Sequence, residues 1–239
     1  MRATVSRVVD PFLAEADRVL GQGYSAVLYG SAARADFISG RSDINLMLVV
    51  DQLSPAVLRS LSRAFTGWRK SMPEPPLILS RSEWTRATDA FPIEITDMRL
   101  SYQVLRGSDP IQAVQVDRTD LRKALEREFR GKLLRLRQGY AAHAPDPAAL
   151  GSLGLQSAAT ILVLLRGVLT LIGRTVPTDA LELGTAAAAA IGFEAEHLLH
   201  VVRHRSNREW RCGAPEFEQY MGAVEQAARY LDQLQLGDH

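Results

Sequence analysis

The chain has 239 residues, with 28 Lys and Arg against 27 Asp and Glu and a formal charge of +1. Hydrophobic residues make up 46% of it, too many for a mostly disordered chain, and the length holds one substantial domain or two compact ones. The single cysteine, Cys212, excludes an intramolecular disulfide framework and a zinc site built from several cysteines, and the near-neutral charge supplies no global field toward nucleic acid.

Val5, Val8, Phe12, Ala16 and Val19 recur at helical spacing, so residues 4–20 read as a helix, or as one started near Asp10-Pro11. SAVLYG at 25–30 is a short strand ending in Gly, and INLMLVV at 44–50 is a strand too continuously apolar for the surface. Between them lie a short helical turn and a polar loop. Residues 54–68 open with a Ser cap and Pro at the first helical position. EPPLILS is a strand after a rigid entry, and SEWTRA is one or two helical turns. FPIEITDM, 91–98, alternates like a strand, and YQVLRG reads as an edge strand. The order describes a small α/β domain with a mixed sheet over residues 1–110.

From about residue 117 the strand signal ends. A long charged helix is followed by two prolines in HAPDPAALGS and by an apolar helix at 155–172, expected to be the most buried of its set. Further helices follow near 178–190, 193–204 and 215–234, which makes residues 115–239 an all-helical bundle. The chain is therefore α+β in class. The apolar helix carries Arg166 at its middle and falls short of a comfortable membrane span, so a buried helix explains it better. The opening residues MRATVSRVVDPF lack the apolar run of a signal peptide, and the expected location is the cytoplasm.

The segment richest in chemistry is LYGSAARAD, 28–36, followed by SDINL, 42–46. Gly30 and Ser31 fall where a strand ends, so turn amides and a hydroxyl are offered to a phosphate. On a strand, Asp43 and Asn45 share one face and Ile44, Leu46 and Leu48 the other. Two oxygen ligands so spaced reach one hard cation. Arg34 is a further phosphate contact that Asp36 would orient, or one half of an ordinary surface pair. With 91–98 as a strand, Glu94 points away from Ile93 and Ile95 toward Asp43, while Asp97 falls on the Ile face. Glu94 is the preferred third carboxylate.

These residues resemble the nucleotidyltransferase superfamily, the minimal nucleotidyltransferases and aminoglycoside adenylyltransferases in particular. Gly30-Ser31 match its Gly-Ser after the first core strand, Asp43 its first metal-binding Asp, and Glu94 its later carboxylate. The resemblance covers roughly residues 24–97. Asn45 departs from it, standing where the family has a second Asp and supplying a carbonyl oxygen without the charge. The resemblance implies transfer of a nucleoside monophosphate from ATP or another nucleoside triphosphate to a hydroxyl-bearing acceptor, with pyrophosphate released. Asp43, Asn45 and Glu94 would hold Mg²⁺ or Mn²⁺, Glu94 binding a second ion or activating the hydroxyl. Gly30, Ser31 and Arg34 would hold the nucleotide, and the substrates would meet between the domains. Because of Asn45, a silent module that binds nucleotide or a protein partner is the alternative, and a structural interaction domain without nucleotide the more distant one.

A small molecule is the expected acceptor rather than nucleic acid or membrane, and a protein partner and a homodimer stay open. Residues 118–137 carry eight Lys or Arg, read as a solvated helix face before a cleft lining. His197, His200 and His204 share a helical face, but Arg203 and Arg205 beside them disfavour a cation. Trp68, Trp84 and Trp210 are assigned to packing. Cys212 beside Arg211 is read as inert, although that neighbour favours a lowered pKa.

Overall fold

The computed structural model describes residues 2–34 and 43–236. The segment 35–42, with Asp36 and Ser42, lies outside the described residues. The chain divides into two units, Met1–Val116 and Asp117–His239.

In the first unit, α1 (Ala3–Leu20) runs through Pro11 and buries Val5, Val9, Phe12, Leu13 and Ala16, a stripe at helical spacing. Two strands follow, β1 (Tyr24–Tyr29) and β2 (Asn45–Val50), paired antiparallel from Tyr24↔Val50 to Tyr29↔Asn45. A single 3-10 turn, Gly30–Ala33, leaves β1. Next come α2 (Pro55–Trp68), capped by the Ser54 hydroxyl, and β3 (Leu77–Ser80), which enters after Pro75-Pro76 and pairs parallel with β2. α3 (Arg81–Thr85) starts in a capping box of Ser80 and Glu83. α4 (Pro92–Leu100) and β4 (Tyr102–Arg106) complete the unit, giving a mixed sheet in the order β3-β2-β1-β4.

Both faces of this sheet are covered. Leu28, Leu46 and Leu48 pack against α1 and α2, with Trp68 and Phe12 edge to face. Val27, Met47 and Val49 pack against Trp84, Ile95, Met98, Ile111 and Val114. That explains the unbroken apolar run of β2, since a strand buried on both faces has no solvent side to alternate with. Each large side chain so buried contributes about 1.5–3 kcal/mol.

One sequence expectation fails here. Residues 92–100 form a helix, not a strand, and the fourth strand is Tyr102–Arg106. Pro92 sits in the first turn, where its missing N–H costs nothing. Pro92, Ile95, Thr96 and Met98 are buried at spacings of three and four, so the Ile-Glu-Ile alternation was compatible with either structure. Tertiary packing overrides the β-propensity of Ile93, Ile95 and Thr96.

The second unit is helical throughout its described residues: α5 (Arg118–His143), α6 (Pro147–Leu171), α7 (Ala180–Ile191), α8 (Ala195–Arg203) and α9 (Ala214–Gln233). Asp117, Asp146 and Asp179 cap α5, α6 and α7, each carboxylate accepting from two backbone N–H groups. Those N–H groups hold the Asp117 and Asp146 carboxyls below their ordinary pKa. α6 begins at Pro147, eight residues before the expected start, and carries more buried residues than the other helices of its unit. It is long and apolar enough to cross a membrane, with half of its most apolar window buried in the protein and Arg166 only 6% exposed. In the core Tyr220 and Ser157 meet hydroxyl to hydroxyl at 2.7 Å, and Ser157 donates to the Gly154 carbonyl.

Candidate functional site

β1 ends and β2 begins side by side, since Tyr29 and Asn45 are paired in register. That register brings Asn45 against the turn that leaves β1. Gly30 has φ +72°, and a β-carbon on it would lie 2.7 Å from the Asn45 amide nitrogen. Gly30 therefore meets two demands at once, a left-handed backbone and room for its neighbour's amide. The Ser101 hydroxyl donates to the Ala33 carbonyl at 3.1 Å, tying the far end of the turn to the junction of α4 and β4. Ser101 was invisible to the sequence reading because its partner is 68 residues away. Asp43 is exposed and precedes β2, which starts at Asn45 rather than at 43.

α4 lies against the sheet face that carries Tyr29, Met47 and Val49. In a helix Glu94 and Asp97 are three residues apart and share a face, which corrects the expectation that parity separates them. Glu94 is exposed, while Asp97 is half-buried and lies 3.5 Å from the Arg34 guanidinium. Arg34 thus meets Asp97, 63 residues further along the chain. The two side chains are 7% and 14% exposed, so this pair is shielded far better than the surface pair expected for Arg34. Burial, then the charges of Glu94 and Asp97, push the Tyr29 phenol up to about 12. Tyr29 therefore stays neutral and is a hydrogen-bonding group rather than a base.

The donors here are hard oxygens, the carboxylate of Asp43 and the amide carbonyl of Asn45, which suit Mg²⁺. Mg²⁺ keeps several waters and needs only one or two protein oxygens beside substrate phosphates, so this pair fits one ion. Among the described residues no group of three His, Cys, Asp or Glu side chains is placed to hold a metal.

Several other residues with chemistry lie in the second unit. His204 stacks on Trp210 at 4.8 Å and His200 meets both rings edge-on, an aromatic cluster at the end of α8. Trp68 and Trp84 donate to the Glu74 and Pro110 carbonyls from buried positions. Several cations of α5 are taken up locally, Arg130 by Asp232 and Arg137 by Glu225, both on α9. Burial and then Glu216 push the Cys212 thiol up to about 11, opposite to the lowering that Arg211 suggested. A thiol reagent at pH 8 should leave the native protein unmodified and label its one cysteine after denaturation; labelling of the folded chain would contradict this burial. A cavity of about 450 Å³ lies between α1 and α2, lined by Arg7, Pro11, Arg63 and Trp68. It is on the sheet face away from α4 and shares no residue with the Gly30 turn.

A four-stranded mixed sheet with a turn leaving its first strand, followed along the chain by a helical unit, is a fold that this chain shares with a solved adenyltransferase. Among solved structures the chain is similar to spectinomycin adenyltransferase AAD(9) from Enterococcus faecialis, determined with ATP and spectinomycin. The TM-score is 0.56 at 12% identity, covering 94% of this chain and 99% of that one, a likeness of fold. No protein-family profile and no curated protein matches the sequence.

Proposed function

We propose that the chain transfers a nucleoside monophosphate from ATP or another nucleoside triphosphate to a hydroxyl of a small-molecule acceptor. The carrying observation is the meeting of Gly30 and Asn45 at one sheet end, with Asp43 two residues before Asn45 and α4 presenting Glu94 near Tyr29. The fold shared with an enzyme crystallised with ATP and spectinomycin supports the same reading. In the reaction, the acceptor oxygen bonds to the α-phosphorus as that phosphorus loses its bond to the oxygen bridging to the β-phosphate. The hydroxyl proton passes to Glu94, and pyrophosphate leaves. Gly30 and Ser31 hold the leaving phosphates, and Arg34 adds N–H donors. A divalent cation, when held by Asp43 and Asn45, supplies Lewis-acid neutralisation of phosphate charge. A cytoplasmic location agrees with the buried thiol and with ATP as donor.

Incubation with labelled nucleoside triphosphates and a panel of hydroxylated acceptors, aminoglycosides among them, tests this directly. Glu94→Gln keeps the shape but cannot accept the proton. It should lower kcat by about 10²–10⁴-fold and leave the nucleotide Kd unchanged. Equal turnover in the two proteins would remove Glu94 from the chemistry. Asn45, uncharged where the resembling enzymes carry an Asp, favours a second reading, a module that binds nucleotide without transferring it. Calorimetry showing nucleotide binding, with no pyrophosphate formed on any acceptor, would select that reading.

A further inference from the structure

We infer that the nucleotide site works with a single divalent cation, the Arg34 guanidinium and the Asn45 amide taking over the electrostatic task of a second one; the inference rests on the nucleotidyl-transfer reading above. Three observations lead to it. The donors at the start of β2 are one carboxylate and one amide, enough for one hydrated Mg²⁺. The nearest carboxylate along α4 from Glu94, Asp97, is engaged by Arg34 at 3.5 Å, with both side chains largely withdrawn from water. A carboxylate neutralised by a fixed guanidinium has little charge left to attract a dication. The third is that the Asn45 amide is seated against Gly30, in contact with the turn that would carry the phosphates.

The chemistry follows from the charges. A triphosphate brings about four negative charges, and a second dication would require carboxylates to hold it while the phosphates are absent. Here Asn45 replaces one such carboxylate with an N–H donor. Arg34 is permanently charged and is anchored through Asp97 on a helix that the Ser101 hydroxyl ties back to the same turn. The pair as a whole is neutral, so what Arg34 offers the phosphates is N–H donors held in place before the nucleotide arrives rather than an uncompensated charge. Glu94, exposed and in no ion pair among the described residues, is then left to accept the hydroxyl proton rather than to ligate.

Counting Mn²⁺ ions bound per nucleotide, by electron paramagnetic resonance with α,β-methylene-ATP as a donor that cannot react, decides the matter without any turnover. The expected count is one, and a count of two overturns the inference while leaving nucleotidyl transfer standing. Arg34→Ala should weaken nucleotide binding roughly tenfold to a hundredfold at saturating Mn²⁺, the size of a lost charge-assisted contact. Because that variant removes a shielded pair, Asp97→Asn provides the control that keeps Arg34. It should retain a count of one and bind nucleotide no more weakly than the wild type, whereas a second cation held by Asp97 would be lost with it. Asn45→Asp should raise the count to two or tighten Mn²⁺ measurably in the nucleotide complex; no metal-dependent difference from wild type overturns the role given to Asn45. A folded wild type that binds no nucleotide at any Mn²⁺ concentration defeats both the inference and the functional reading beneath it.

Discussion

Asp43→Ala should reduce nucleotidyl transfer by about 10²–10³-fold or more, the loss found when one oriented electrostatic group is taken from a reacting phosphate or oxyanion. The effect is expected to be at the upper end because Asp43 is the only carboxylate of the pair at the start of β2, and Asn45 has no charge to compensate. Stability should move by less than about 0.5 kcal/mol, since the side chain is exposed. The measurements are pyrophosphate release with the best acceptor and a denaturant midpoint on the same preparations. Unchanged turnover in a protein of unchanged midpoint would move the chemistry away from this turn.

The largest expected effect on folding lies in the second unit. Gly151→Ala should cost about 2–3 kcal/mol, the upper part of the range for overpacking. A β-carbon there would stand 2.1 Å from the Trp210 carbonyl oxygen, where the segment after α8 lies along the start of α6. The same segment is fixed by the Cys212 N–H donating to the Pro147 carbonyl at 2.9 Å, so the backbone has no easy retreat. Gly139→Ala is the informative contrast. Its β-carbon would meet the Leu153 Cδ2 methyl at 2.3 Å, the end of a side chain that can rotate away. There the gain in helix propensity, about 1 kcal/mol, offsets the repacking. Urea unfolding of both variants should place Gly151→Ala well below the wild type and Gly139→Ala close to it. Equal midpoints would mean that the 210–212 segment yields.

The order of elements was legible wherever local chemistry decided it. Ser54 with Pro55 announced α2, the apolar run 44–50 announced a doubly buried strand, and the prolines of 144–147 separated α5 from α6. The failure at 91–98 has a definite cause. Ile93, Glu94 and Ile95 satisfy a two-residue period, and only the burial of Thr96 and Met98 beside Ile95 identifies a helix. No local signal separates the two over so short a stretch. The helix caps Asp117, Asp146 and Asp179 were readable in principle, because each stands one residue before a helical run.

At the candidate site the contribution of sequence was similarly divided. Gly30, Ser31, Asp43 and Asn45 fall within sixteen consecutive residues, and their order suggested a strand, a turn and a second strand. Strand register, which pairs Asn45 with Tyr29, then explains why a glycine follows Tyr29 where the turn begins. The Arg34–Asp97 pair could not be read, because 63 residues separate its partners and Asp97 had been placed on the wrong face by an assumed strand. Correcting one secondary-structure element therefore changes the electrostatics assigned to the site.

The entry to β3 has a consequence for how the protein keeps company with its own copies. β3 is an edge strand of four residues, and Leu77, its first, is 45% exposed. An open edge of this kind is a template on which another chain can add a strand and start a fibril. Pro75 and Pro76 immediately before it carry no N–H, so a ladder started on β3 finds no backbone donors there as it runs back along the chain. Replacing both prolines would lengthen the exposed edge without touching the Gly30 turn. The rigid entry thus guards solubility at high concentration, a task separate from setting the direction in which β3 joins its parallel neighbour.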